Sequence, residues 1–308
     1  MDADSTLARP QSFALSPARF RTIAFVALGA LWLIVATGAA VRLTASGLGC
    51  ESWPGCTEGN PFPAKDHHAF VEFGNRMIGG LTILATAVTA VAAWLTRGLP
   101  RWAAWLAVAL FLGTLAQAPL GALTVAFDLH PLLVMPHLLL SIAVLGAAVV
   151  LALEAVALDR GHARPLSAEA RWLAAALVAG CFGLVVSGAF ATAAGPHSGG
   201  DEVARFGSLD AALYVHAASV AIFGCALLFL LGYLFANRRE EPLLFRATAA
   251  LMGLVLLQMA IGEIQYRAEL PWGLVLVHVA VAASVWVGVV ALATLVWRPP
   301  AVLRGTAA

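Results

Sequence analysis

Eight long apolar runs divide the chain, and each is bounded by charged residues, proline or glycine. The hydrocarbon core of a bilayer is about 30 Å thick, and a helix needs roughly 20 apolar residues to cross it. Each run has about this length, so the pattern predicts eight transmembrane helices. The predicted spans are Thr22–Val41, Phe70–Leu95, Trp102–Val125, Leu132–Leu153, Trp172–Ala191, Ala211–Ala236, Ala247–Tyr266 and Trp272–Trp297.

The chain also contains an internal repeat with a shift of 141 residues. The matching pairs are Leu115–Gly121 with Leu256–Gly262, His137 with His278, and Asn75 with His216. Thr37-Gly-Ala-Ala resembles Ser187-Gly-Ala-Phe at a shift of 150, because the first loop is longer. Several landmarks at one offset favour a true repeat over coincidence in an apolar chain. The repeat predicts two tandem, pseudo-symmetric four-helix bundles with the same orientation in the membrane.

We therefore predict an all-α integral membrane protein of five segments. They are an N-terminal segment at 1–21, a first four-helix half at 22–153, a linker at 154–171, a second half at 172–297 and a tail at 298–308. Of the 18 basic residues, 13 fall on the side of the membrane that holds the N-terminus. The positive-inside rule then places both termini in the cytoplasm.

The composition agrees with a protein surrounded by lipid. Hydrophobic residues make up 61% of the chain and charged residues 11%, which is far more apolar than a soluble domain. The net charge of +1 provides no basic field for nucleic acid, so we expect membrane lipid and no nucleic-acid partner.

Three histidines lie inside the predicted spans, where a polar group costs several kcal/mol unless it has a partner. They are His137, His216 and His278, and each lies roughly 8 Å below the outer surface, at the depth of Asn75. A single such histidine is more often a hydrogen-bonded packing residue than a ligand. Three of them at one depth and at repeat-related positions favour a ligand role.

The histidines suit haem better than a zinc ion. Zinc would require cysteines or carboxylates to converge with the imidazoles, and the membrane cysteines lie elsewhere in their helices. Haem requires one or two axial imidazoles and an apolar slot, which a four-helix bundle provides. His216 and His278 can supply both axial ligands in the second half, whereas the first half offers only His137.

Polar residues at the outer start of the second span have two interpretations. Glu72 and Asn75 share a helix face, and Arg76 follows directly. Glu72 can simply complement the helix dipole while Arg76 extends to the lipid headgroups. Their position beside the histidine layer also favours a proton-handling role for Glu72.

Cys50 and Cys56 lie in the first outer loop and flank Pro54-Gly55, which favours a turn. An oxidising exterior permits a disulfide between them. The pair is then either a structural link or a redox group, and the sequence leaves both open.

Three stretches of the first half form a specific pattern. They are Gly38-Ala-Ala-Val-Arg42-Leu-Thr-Ala-Ser-Gly47-Leu-Gly-Cys50, Trp53-Pro54-Gly-Cys56 and Glu72-Phe-Gly-Asn75-Arg76. Together with the three histidines, this pattern resembles the haem A synthase family from about Ile23 to Trp297. The resemblance implies an oxidoreductase of the bacterial cell membrane. Such an enzyme oxidises a ring methyl of haem O to the formyl group of haem A, with oxygen from water, for terminal oxidases.

The resemblance also implies roles for individual residues. It implies His216 and His278 as ligands of a b haem, His137 as a residue of the substrate-haem half, Glu72 as the essential carboxylate, Cys50 with Cys56 as a loop disulfide, and Arg76 as a residue facing a haem propionate. The chain departs from the family at Asn75, where many members have histidine. An amide is a weak iron ligand, so we expect His137 to hold the substrate haem without a second imidazole.

The expected partners follow from this reading. They are haem O as substrate, the haem O synthase that supplies it, and an electron acceptor that the sequence does not identify. The main alternative is a membrane b-type cytochrome that only carries electrons, and a haem transporter is a further one. Cytochromes that span the bilayer commonly place two histidines along one helix, whereas each helix here has one candidate at a single depth.

Overall fold

The structure, a computed structural model, describes residues 14–52, 55–57, 59, 62–63, 65–197 and 205–303. Within these ranges, eight helices are long and apolar enough to cross a membrane, as predicted. They are α1 (Pro17–Leu43), α2 (His67–Leu95), α3 (Arg101–Ala126), α4 (Pro131–Arg160), α5 (Ala168–Ala194), α6 (Leu209–Ala236), α7 (Pro242–Arg267) and α8 (Trp272–Trp297). The described residues contain no strand, only isolated β-bridges, so the all-α membrane class is confirmed.

Most helices begin earlier than predicted, because capping residues and prolines set where a helix starts. Five of them begin after a residue whose side chain accepts a backbone N–H of the first turn, namely Ser16, Asp66, His130, Ser167 and Ser208. The N–H of Ala69 lowers the pKa of the Asp66 carboxyl, which therefore stays ionised at the start of α2. Helices α1, α4 and α7 have proline in their first turn. The pattern of apolar residues along the sequence does not reveal these capping residues.

The helices pack as two groups of four. In the first group α1, α2, α3 and α4 contact one another in sequence, and α4 closes the ring against α1. The second group repeats this arrangement with α5 to α8, although α6 and α7 pack less closely than the other neighbours. The groups meet chiefly where α8 contacts α1 and α4. The exact segment boundaries remain a prediction, and residues 1–13 and 304–308 of the two terminal segments lie outside the described ranges.

Two tryptophans connect the groups through hydrogen bonds. Trp286 on α8 donates its indole N–H to the carbonyl of Ile142 on α4 at 2.8 Å. Trp32 on α1 donates to the hydroxyl of Ser284 on α8 at 3.1 Å. Both bonds satisfy an indole inside an apolar interface, where an unpartnered N–H would be costly.

A buried carboxylate joins the linker and the tail at the inner end of the molecule. Glu154 on α4 is fully buried and accepts two hydrogen bonds from Arg298, at 2.7 and 2.9 Å. These bonds raise the pKa of the Arg298 guanidinium. The linker residue His162 contacts the same carboxylate at 3.1 Å. Glu154 therefore holds the connection between the halves and the end of α8 together.

Replacement of Arg298 by glutamine should lower the stability of the protein. The change leaves the Glu154 carboxylate without its cation, and we expect a loss of about 2 to 3 kcal/mol. The value is below that of a fully buried pair because the Arg298 side chain is 42% exposed and His162 remains. Thermal unfolding in detergent measures it. Arg160→Gln is the control, since its pair with Asp159 is long and exposed and should contribute less than about 1 kcal/mol. Equal shifts for the two variants would contradict the assignment.

Candidate functional site

Four polar residues occupy one layer near the N-terminal ends of the even-numbered helices. Asn75, His137, His216 and His278 are each the seventh to ninth residue of α2, α4, α6 and α8. At 1.5 Å per residue, this places them about 9 to 12 Å along the helix axis from its start. The layer inferred from the sequence therefore agrees with the observed helix bounds.

The second group has two histidines of the layer, His216 on α6 and His278 on α8. Nδ1 of His216 lies 3.0 Å from the hydroxyl oxygen of Ser187 on α5. That hydroxyl donates to the carbonyl of Leu184 at 2.8 Å, so its oxygen accepts the proton of Nδ1. This arrangement fixes the ring and leaves Nε2 of His216 for a ligand.

Each imidazole packs against a glycine of the preceding helix. A Cβ atom added to that glycine would touch or crowd the imidazole ring. The absence of a side chain therefore allows the ring to lie against the helix backbone. The distances from such a Cβ to the ring atom Cε1 are 3.5 Å for Gly121 and His137, 3.1 Å for Gly188 and His216, and 3.1 Å for Gly262 and His278. The same contact thus recurs at three of the four positions of the layer.

Glutamines of the two repeated segments hold the backbone of the histidine helices. Gln117 on α3 donates to the carbonyl of His137 at 3.3 Å, and Gln258 on α7 donates to that of His278 at 2.9 Å. Nδ1 of each of these histidines is buried and has no hydrogen-bond partner among the described residues. The glutamines, like the glycines, lie at the repeat offset. That recurrence is the sequence signal that could have identified them as part of the site.

The fourth position of the layer is occupied by an amide. Asn75 accepts a hydrogen bond from the Thr37 hydroxyl on α1 at 2.9 Å. Thr37 is the repeat counterpart of Ser187, so both halves place a hydroxyl beside this position of the layer. Sequence reasoning identified the similarity of these two residues but not their contact with the layer.

Glu72 lies one turn above Asn75 and is almost completely buried, at 4% exposure. One carboxylate oxygen is 2.6 Å from the Arg76 guanidinium, and the other accepts the backbone N–H of Cys50 at 2.8 Å. Arg76 also donates to the carbonyls of Ser52, at 2.8 Å, and Gly55. These charge-assisted bonds fasten the loop that carries Cys50, Ser52 and Gly55 to α2.

The predicted disulfide between Cys50 and Cys56 is present. Trp53 and Pro54, which belong to the predicted turn between the cysteines, lie outside the described residues. The disulfide closes the loop whose backbone contacts Glu72 and Arg76. The family resemblance implied that Arg76 faces a haem propionate. In the structure its guanidinium contacts Glu72 and the loop, so the propionate contact remains a prediction.

The residues of the layer fit a haem group. The helices around them are apolar, glycines allow flat rings to approach, and two buried ring nitrogens still require partners. In the second group two imidazoles lie in the layer, and a haem with two histidine ligands needs two. In the first group the corresponding positions hold one imidazole, His137, and one amide, Asn75.

The sequence of this chain is similar to one protein family and to several individual known proteins. Residues 21–196 match the COX15-CtaA family of cytochrome oxidase assembly proteins. A heme A synthase of Shewanella oneidensis is 28% identical over 86% of this chain and 93% of its own length. A heme A synthase of Bacillus licheniformis is 33% identical over 35% of this chain and 36% of its own length. A protoheme IX farnesyltransferase of Chloroflexus aurantiacus is 36% identical over 33% of this chain and 17% of its own length.

Replacement of Arg76 by glutamine should destabilise the protein by about 3 kcal/mol or more, because Glu72 is left buried without a cation. Arg267→Gln is the matched control, since Arg267 pairs with Glu263 at the same spacing near an outer helix end. The side chains of that pair are 77% and 57% exposed, so its loss should cost less than about 1 kcal/mol. Chemical or thermal unfolding of both purified variants tests the difference. A control as damaging as Arg76→Gln would show that burial does not matter here.

Proposed function

The chain belongs to the COX15-CtaA family of cytochrome oxidase assembly proteins, and we propose that it acts as a haem A synthase. It is a multi-pass membrane oxidoreductase of haem A biosynthesis, and its reaction converts haem O to haem A. The observation that supports this most strongly is the layer of repeat-related histidines together with Glu72. Among the described residues, a buried carboxylate lies beside the layer in the first half only. An electron carrier or a transporter of haem has no comparable need for that carboxylate.

The chemistry explains why a carboxylate is needed. Conversion of a ring methyl to a formyl group with one oxygen from water releases four protons and four electrons. The protons require an acceptor near the methyl group, and the electrons require a redox partner. Glu72 is paired with Arg76 and lies three residues from Asn75, so both side chains project from one side of α2. We assign Glu72 the role of accepting protons from the reacting group.

The histidines receive different roles in the two halves. His216 and His278 are proposed to hold a b haem in the second half, because both lie at one depth of the four-helix group and Ser187 orients one of them. Such a haem supplies one-electron redox chemistry and is our candidate for the first electron acceptor. His137 is proposed to hold the haem O substrate in the first half, with Gly121 allowing its ring to approach α3.

The site also suggests an orientation in the membrane. The disulfide loop lies at the end of the molecule that carries the histidine layer, and disulfides persist on the oxidising side of a bacterial membrane. This supports an outer location for the active site and cytoplasmic termini, in agreement with the distribution of basic residues. A haem O synthase is the expected source of the substrate, and the partial match to a protoheme farnesyltransferase is consistent with a shared pathway.

Replacement of Glu72 by glutamine should abolish haem A formation and leave b haem bound. A neutral amide cannot accept a proton, so the yield should fall by about 100-fold or more. The test is co-expression with a haem O synthase, followed by extraction and chromatography of the haems. Glu263→Gln is the control, since that carboxylate is exposed on α7. A normal yield of haem A from Glu72→Gln would limit Glu72 to a structural role.

Alanine substitutions should separate the two haem sites. His216→Ala and His278→Ala should each remove the low-spin b-haem absorption, because one imidazole alone cannot complete bis-histidine ligation. His137→Ala should leave this absorption unchanged and remove the bound substrate haem. Visible spectra and haem extraction of the purified variants measure both effects. A bis-histidine spectrum that persists in His216→Ala and His278→Ala would contradict the assignment.

A further inference from the structure

Gly38 on α1 differs from the other glycines of the layer. It is the repeat counterpart of Gly188, whose Cβ position lies 3.1 Å from the His216 ring. A Cβ at Gly38 would meet no atom of the described residues within 4 Å. Gly38 is itself partly buried, unlike Gly29 of the same helix, which is exposed. The shorter side chain of Asn75 does not fill the position that an imidazole fills in the second half.

The polar surroundings of this space are those of a ligand position. In the second half, the Ser187 hydroxyl bonds to the ring that rests on Gly188. In the first half, the equivalent Thr37 hydroxyl bonds to the oxygen of Asn75 at 2.9 Å, which leaves the amide N–H groups of Asn75 as donors. Glu72 projects from the same side of α2 one turn away. A small polar molecule here would have a hydroxyl, an amide and a carboxylate nearby.

We propose that the space bounded by Gly38, Thr37 and Asn75 is a binding position for a small neutral ligand, and that water occupies it in the working enzyme. This proposal rests on the proposed function and adds to that function a location for the reactant water. His216 and His278 are the repeat counterparts of Asn75 and His137. If both halves place a haem between these two positions, the ligand position lies across the substrate haem from His137.

The physical argument favours water over a fixed ligand. A bound water is stable when two to four polar partners surround it, and Thr37, Asn75 and Glu72 can supply them. An amide is too weak a ligand to displace water from the haem face, whereas an imidazole would close it. Glu72 is then near enough to accept a proton from that water. In this chain, the change from histidine to asparagine keeps the substrate face open to a small molecule.

Imidazole is a suitable probe, because it matches the ring that the second half carries at this position. The protein is purified, loaded with haem O and titrated with imidazole while the visible spectrum is recorded. We expect the first-site haem to change from high spin to low spin with a saturable dependence on imidazole. The b haem should not respond, since both of its axial positions are filled by the chain.

Two variants and a control make the test specific. Gly38→Val fills the space and should weaken imidazole binding at least tenfold, with reduced haem A formation. Asn75→His should give a low-spin first site without added imidazole. Gly29→Val is the control, since Gly29 lies on the same helix, is exposed and has no atom within 4 Å of its Cβ position. An unchanged b-haem spectrum shows in each case that the protein is folded.

The proposal is overturned if imidazole does not change the first-site spectrum of the unmodified protein, or if Gly38→Val binds imidazole as the unmodified protein does. Production of haem A with no imidazole response would overturn the water position and leave the enzyme function intact. A clear imidazole response without any haem A in co-expression would count against the proposed function instead. The two failures are therefore distinguishable.

Discussion

A polar group in the hydrocarbon core needs a partner inside the protein, because lipid offers neither hydrogen bonds nor counter-ions. This constraint accounts for the outer half of the molecule. Ser187 holds the His216 ring, Thr37 holds the Asn75 amide, and Arg76 with the Cys50 N–H holds the Glu72 carboxylate. The disulfide and the outer loop belong to the same network, since the loop backbone completes the shell around Glu72 and Arg76. Fold and chemistry therefore depend on the same contacts.

The two halves place equivalent residues around the layer and differ at one position of it. Both have a glutamine that holds the backbone of the last helix, a glycine beside its histidine, and a hydroxyl beside the opposite position. The second half fills that opposite position with His216, and the first half with Asn75. A closed pair of imidazoles suits reversible electron transfer, because the iron has no free position for other reactions. An open face beside a carboxylate suits a half in which water must approach the substrate.

Much of this arrangement follows from the sequence. The eight helices were predictable because about 20 apolar residues in succession have few other stable arrangements, and α8 has the predicted bounds. The depth of the histidines followed from counting residues along helices, and the repeat related His137 to His278. The family resemblance supplied the disulfide pairing, which the Pro54-Gly55 turn alone left open. Helix starts were less accurate, since side-chain caps such as Asp66 do not appear in an apolar periodicity.

Contacts between helices were not predictable, because they depend on how the helices rotate and pack. The sequence did not reveal that Glu72 accepts the Cys50 N–H, or that Glu154 joins Arg298 and His162 at the inner end. It also gave no indication that Gly38 borders open space while Gly188 borders a ring. All of these contacts required the positions of neighbouring helices.

The central claim is that the two halves hold haem with different ligation, and low-temperature electron paramagnetic resonance of the oxidised protein loaded with haem O tests it most directly. The account predicts one low-spin signal typical of bis-histidine ligation, from His216 and His278, and one high-spin signal from the haem on His137. Loss of the high-spin signal alone in His137→Ala would assign it to the first half. Two bis-histidine low-spin signals in the unmodified protein would contradict the account.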